Sequence, residues 1–146
     1  MMTTNLTPSE INTLSAALDR VVPAIDELPG AGGMGLAPVV VERSRADERF
    51  WDALVTVVRE LASSGEYTSM SGEEQDDALR AVEGSEAEAF ALWLDVVFTI
   101  YYMQPEVHKR LGWHGRSPQP VGNEMPPWDE SVLDKIRQRE PFWRKV

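Results

Sequence analysis

Two histidines, one isolated carboxylate and a cluster of glycines are the residues of this chain whose types could do chemistry. His108 and His114 stand six positions apart, with only Glu106 and Glu124 near them. A bound metal needs three or four converging ligands, and no Glu-x-x-His pattern lies within a helix core. The two histidines read more simply as a surface residue and a loop hydrogen-bonder. Asp95 interrupts a strongly apolar stretch and is the carboxylate best placed for general acid–base work. A buried aspartate paired to an arginine or to backbone is the plainer account of it. Gly30, Gly32, Gly33 and Gly35 have the density of a phosphate cradle. Yet no strand precedes them, their spacing fits neither the dinucleotide nor the P-loop pattern, and no lysine follows. A loop that turns the chain suffices. There is no cysteine, which removes disulfides, thiolate nucleophiles, iron–sulfur clusters and covalent haem attachment together. No serine sits in a nucleophile elbow or beside an evident base. The expectation is a chain with no catalytic, cofactor-binding or metal-binding residues of its own.

Recognition is better supplied than catalysis. Trp93, Tyr101, Tyr102, Trp113 and Trp128 fall within residues 93–128, interleaved with glycine and proline. Large flat side chains beside turn-forming residues either close a small core or form a surface that receives something. Residues 116–127 are rich in proline, and long loops in compact domains usually carry function or lack order. The candidate partner-binding residues are therefore Tyr101, Tyr102, Pro105, Leu111, Gly112, Trp113, Gly115, Pro120, Trp128 and Trp143.

The elements that must position them are helices. Thr7-Pro8-Ser9-Glu10 is a capping box with proline at the first helical position. Ile11, Leu14, Leu18, Val21, Val22 and Ile25 then recur at helical spacing, with an end or kink set by Pro23. Residues 36–44 suit a short helix, although Val39-Val40-Val41 alone could be a strand. Asp47 or a near neighbour caps a helix that places Phe50, Trp51, Leu54, Val57, Val58 and Leu61 on one face. Ser71-Gly72-Glu73-Glu74 is a second capping box, with Ala78, Leu79 and Val82 inward, and Ser85-Glu86-Ala87-Glu88 is a third. Residues 86–102 are apolar around most of a helix, which predicts a place in the middle of a bundle. A short helix opens at Pro105 and is ended by Gly112. Asp129 caps a last helix carrying Val132, Leu133 and Ile136. The fold class expected is all-α: a small bundle of five to seven helices with a long Pro/Gly/aromatic loop before the last. We expect one domain over residues 1–146, with residues 1–6 a flexible N-terminus and 140–146 a C-terminal tail.

Composition narrows the partners. The formal net charge is -10 over 146 residues, which argues against nucleic acid, since phosphate contacts need a basic surface. No apolar run approaches the roughly 20 residues of a membrane span, and no helix joins a basic face to an apolar one. Residues 1–8 have neither the basic region nor the apolar core of a signal peptide. The expected location is the cytoplasm, with export alongside a partner left open.

The order of the motifs carries a resemblance. Asp19-Arg20-Val21-Val22-Pro23-Ala24 is followed by Pro29-Gly30-Ala31 and by a long helix finishing in Thr99-Ile100-Tyr101-Tyr102-Met103-Gln104-Pro105. Leu111-Gly112-Trp113-His114-Gly115, a proline loop and Pro127-Trp128-Asp129 come next. Over nearly the whole chain this resembles the gluconate 2-dehydrogenase subunit 3 family, the small subunits of flavin-dependent sugar and polyol dehydrogenases. The resemblance implies a non-catalytic partner. The large subunit, of the glucose-methanol-choline oxidoreductase type, carries FAD and the catalytic histidine, and the small one supports its folding, stability or export. Two positions depart from the pattern. Residues 1–8 hold no twin-arginine leader, which fits a cytoplasmic complex or a leader already removed, and Ile100 stands where a glycine is expected before the paired tyrosines. The alternative from another class is a free-standing all-α binding or regulatory module, with a small-molecule or protein ligand near the aromatic loop. A third reading, an enzyme using Asp95 or the histidines, is the weakest.

Overall fold

The computed structural model describes residues 5–113, 115, 122, 124 and 127–140. Among them the chain is all-α, with helices α1 (Pro8–Val21), α2 (Ala37–Ser44), α3 (Glu48–Ser63), α4 (Gly72–Ser85), α5 (Ala87–Tyr102), α6 (Pro105–Arg110) and α7 (Asp134–Arg137), and no strand. The Val39-Val40-Val41 run is helical: Val40 and Val41 turn inward and Val39 outward. Contacts divide the chain into a first unit, Met1–His114, and a second, Gly115–Val146.

Helix boundaries in the first unit follow local chemistry. At α1 the Thr7 backbone N–H donates to the Glu10 carboxylate at 2.6 Å, while the Glu10 N–H donates to the Thr7 hydroxyl at 3.2 Å. Ser71 and Glu74 repeat this reciprocal cap on α4 at 2.7 and 3.3 Å, satisfying donors that an open helix end would leave unpaired. The third capping box does not form. Ser85 is the last residue of α4, so its hydroxyl turns back to the Val82 carbonyl oxygen at 3.4 Å. Glu86 alone separates α4 from α5 and caps α5 with no side-chain hydrogen bond. Ile25 also departs from its expected place. Helix α1 stops at Val21, and Ile25 lies half exposed in a tight turn closed by paired Ile25–Leu28 backbone bonds of 2.9 and 3.0 Å.

The core is built on the pairing of α3 with α5, the most extensive between any two helices, with α1, α2 and α4 packed around it. Leu54, Val57, Val58 and Leu61 of α3 are fully buried and face Trp93, Val96, Val97 and Ile100 in one apolar cluster. Among the polar bonds that join α1 to its neighbours, two are made by consecutive residues. Arg20 grips Asp76 of α4 through two hydrogen bonds of 2.7 and 2.6 Å, the bidentate geometry that suits guanidinium to carboxylate. Those bonds hold the Asp76 carboxyl below its ordinary value. Asp19, one residue earlier, accepts the Gly33 backbone N–H at 2.9 Å. The glycine loop lies so close to α1 that a Cβ at Gly32 would collide with the Ser15 carbonyl oxygen, and one at Gly30 with the Asp19 carboxylate. These glycines permit close packing, and the loop faces an aspartate, which disfavours an anion there.

Tyr67 lies in a 3₁₀ turn, Tyr67–Ser69, and is almost wholly buried. The Gln75 amide donates to the Tyr67 carbonyl at 2.9 Å, and the phenol donates to the Gln75 carbonyl at a long 3.4 Å. Burial pushes the phenol up to about 12, because the phenolate would lose its hydration.

In the second unit Asp129 accepts the Ser131 N–H at 3.0 Å. A 3₁₀ turn, Glu130–Leu133, runs directly into α7, bound by an Arg137–Glu130 ion pair at 2.6 Å.

Candidate partner-binding site

The C-terminal end of α5 is finished by side chains. Gln104 donates from its amide to the Ile100 carbonyl at 2.8 Å, and His108 meets the Tyr102 carbonyl with Nε2 at 2.5 Å. The last carbonyls of any helix lack intrahelical donors, and here α6 reaches back to supply one. Helix α6 starts on Pro105, whose missing N–H is no loss at that position. Its own end is a Schellman turn. Gly112 takes the left-handed conformation at φ 68, its N–H donates to Lys109 at 3.2 Å, and the Trp113 N–H donates to His108 at 2.9 Å. This motif commonly brings the residue after the glycine against the one that accepts its N–H. Here that contact is aromatic: the His108 and Trp113 rings stand edge to face, centroids 4.3 Å apart at 87°. Val107 anchors α6 in the core, and Arg110 binds Asp26 of the first loop at 2.6 Å.

These bonds present an apolar surface. Trp113 is 49% exposed, Tyr102 54%, Leu111 63% and Met103 64%. A stripe along α5 at helical spacing, Ala91, Asp95, Phe98, Thr99 and Tyr102, is also open. This corrects the expectation that α5 is enclosed on all sides, and with it the expectation of a buried, paired Asp95. Asp95 is exposed because α2, α3 and α4 leave its side of the helix largely uncovered. Arg43, Phe50, Asp95, Val96 and Thr99 border a shallow depression of ≈ 60 Å³. That is room for a few waters and well short of the several hundred Å³ typical of small-molecule sites.

The candidate residues divide accordingly. Tyr102, Leu111 and Trp113 are exposed on the first unit, where Pro105 and Gly112 shape the backbone that presents them. Tyr101 is instead buried, its ring edge-on to Tyr102 with centroids 5.3 Å apart. Ile100, beside it, is in the core as well. Gly115 and Trp128 belong to the second unit, where Trp128 is 74% exposed. Pro120, Trp143 and His114 lie outside the described residues, and among those described no group of histidine and acidic side chains is arranged to hold a metal. No helix among them is long and apolar enough to cross a membrane.

Sequence reasoning missed Phe98, Met103 and the role of His108. A charge and a threonine four residues apart on an apolar helix, Asp95 and Thr99, mark the open stripe that Phe98 shares. For His108 the signal is an aromatic four positions before a helix-ending glycine that a tryptophan follows. Comparisons with known proteins give no matching family model, no matching curated protein and no matching solved structure.

Proposed function

We propose that this chain is a non-catalytic accessory subunit that binds and stabilises a large FAD-dependent oxidoreductase of the glucose-methanol-choline type, acting on sugars, polyols or glycosides. The flavin belongs to the partner, and this chain holds no cofactor. The observation that carries the docking part of the reading is the exposure of Tyr102, Met103, Leu111 and Trp113 about the hydrogen-bonded corner between α5 and α6. Exposed apolar clusters rich in aromatic types mark contact surfaces. The nature of the partner rests on the resemblance in motif order. Binding would stabilise the large subunit by mass action, since only its folded form offers the complementary face.

The test is recovery of the partner by a tagged chain from its native cell, reading the flavin absorption of the eluate. The wild-type chain is expected to bring down a large yellow protein. Trp113→Ala combined with Tyr102→Ala should lose it while circular dichroism and melting of the small chain stay unchanged. Equal recovery of the flavoprotein by the double variant, or a colourless eluate from the wild type, would overturn the proposal.

A further inference from the structure

We infer that His108 is a positioning residue, which locks Trp113 into a preformed anchor so that the indole meets a partner already ordered. This rests on the reading of the Trp113 surface as a docking face. His108 touches Trp113 twice, ring to ring at 4.3 Å and through its carbonyl, which accepts the Trp113 N–H at 2.9 Å. Through Nε2 it also ties the pair to the last turn of α5 at the Tyr102 carbonyl, 2.5 Å away. One side chain thus braces a half-exposed tryptophan against a neighbouring helix.

The imidazole supplies both contacts from one ring. An imidazole N–H donates to a carbonyl in the Nε2–H tautomer and in the doubly protonated ring alike. The ring also offers a flat partner for the indole in the edge-to-face arrangement that aromatic pairs favour. Glutamine keeps a donor and loses the flat ring; phenylalanine keeps the ring and loses the donor. The support beneath is firm: Val107 is 2% exposed, and Arg110 is held by Asp26. A side chain ordered before binding has less freedom to lose in the complex. Releasing it should weaken affinity by roughly two- to tenfold.

The experiment is nitrogen-15 NMR of the tryptophan indoles in the free full-length chain, with the Trp113 signal assigned by its disappearance in Trp113→Phe. In the wild type the Trp113 indole should be as ordered on the picosecond–nanosecond scale as the α6 backbone. In His108→Ala that order should be lost, with circular dichroism unchanged, and His108→Gln and His108→Phe should each retain part of it. Equal order of the Trp113 indole in the wild type and in His108→Ala would overturn the inference. Should His108→Ala fail to fold, His108→Phe decides, and order equal to the wild type there overturns it too. Because the free chain is measured, this outcome is separate from partner recovery. Loss of the flavoprotein reading leaves the brace standing, and loss of the brace leaves that reading standing.

Discussion

Tyr67 shows most plainly how a single side chain in this protein couples burial to solution conditions. Its phenol ordinarily titrates at 10.0 and is pushed up to about 12 by burial. The folded chain therefore keeps a proton that the unfolded chain gives up. The stability this contributes is complete below pH 10 and is lost as pH rises toward 12, by on the order of 2 kcal/mol in all. Urea unfolding at pH 9 to 12 should show that decline in the wild type and a flatter one in Tyr67→Phe. Little of this was legible in the sequence. Tyr67 lies outside any periodic apolar pattern, and its burial depends on a 3₁₀ turn that docks against α1 and hydrogen-bonds to Gln75 of α4. The Arg20–Asp76 pair was equally hidden, because its partners are 56 residues apart and only the packing of α1 on α4 joins them. By contrast, the spacing of the glycines alone marks their segment as a turn. What the spacing could not give is the reason for two of its glycines, which is contact with Ser15 and Asp19.

At the scale of elements, capping explains both where the sequence succeeds and where it misleads. Thr7–Glu10 and Ser71–Glu74 form reciprocal caps because a non-helical residue precedes each helix and can turn its hydroxyl toward the first turn. Ser85 has the same local pattern and fails because α4 continues through it. Ser71→Ala is accordingly expected to cost about 1 kcal/mol, and Ser85→Ala less than about 0.5 kcal/mol. Thermal melts of the two variants should differ in that order. Equal losses would mean that the α4–α5 junction is arranged otherwise. The α5–α6 corner was half legible: Pro105 and Gly112 mark the ends of α6, while the stacking of His108 on Trp113 follows only once the Schellman turn is built. The open stripe of α5 is not legible from composition, because hydrophobicity on every side of a helix does not mean cover on every side. Phe98 and Tyr102 are apolar and uncovered together.

On the scale of the whole molecule, charge and pairing act in opposite directions as pH falls. Residues 1–114 hold 19 acidic side chains against 8 Lys and Arg, so mild acidification relieves self-repulsion. The carboxyls of Asp76, Glu10 and Glu74 are held below their ordinary 3.8, 4.5 and 4.5 by hydrogen bonds from Arg20, from the Thr7 backbone and from the Ser71 side chain respectively. Each folded value lies below its unfolded one. The contribution is therefore complete above about pH 5 and is lost as pH falls through the folded value. Stability should hold or rise from pH 7 to 5 and then drop. In Asp76→Asn the acid drop should be shallower by up to about one proton, as measured by urea midpoints across a pH series. A drop as steep in the variant as in the wild type would remove Asp76 from the acid transition.

The pairing of α3 with α5 also has a consequence during synthesis of the chain. Helix α3 ends at Ser63, and the helix that covers most of its apolar face is not complete until Tyr102. At about 5–20 residues per second, the nascent chain spends some seconds with Leu54, Val57, Val58 and Leu61 awaiting their main neighbours. Over that interval the exiting polypeptide offers a greasy, amphipathic hairpin of α1 to α3 to whatever surrounds the ribosome. It is then that a molecular chaperone has most to gain by binding it.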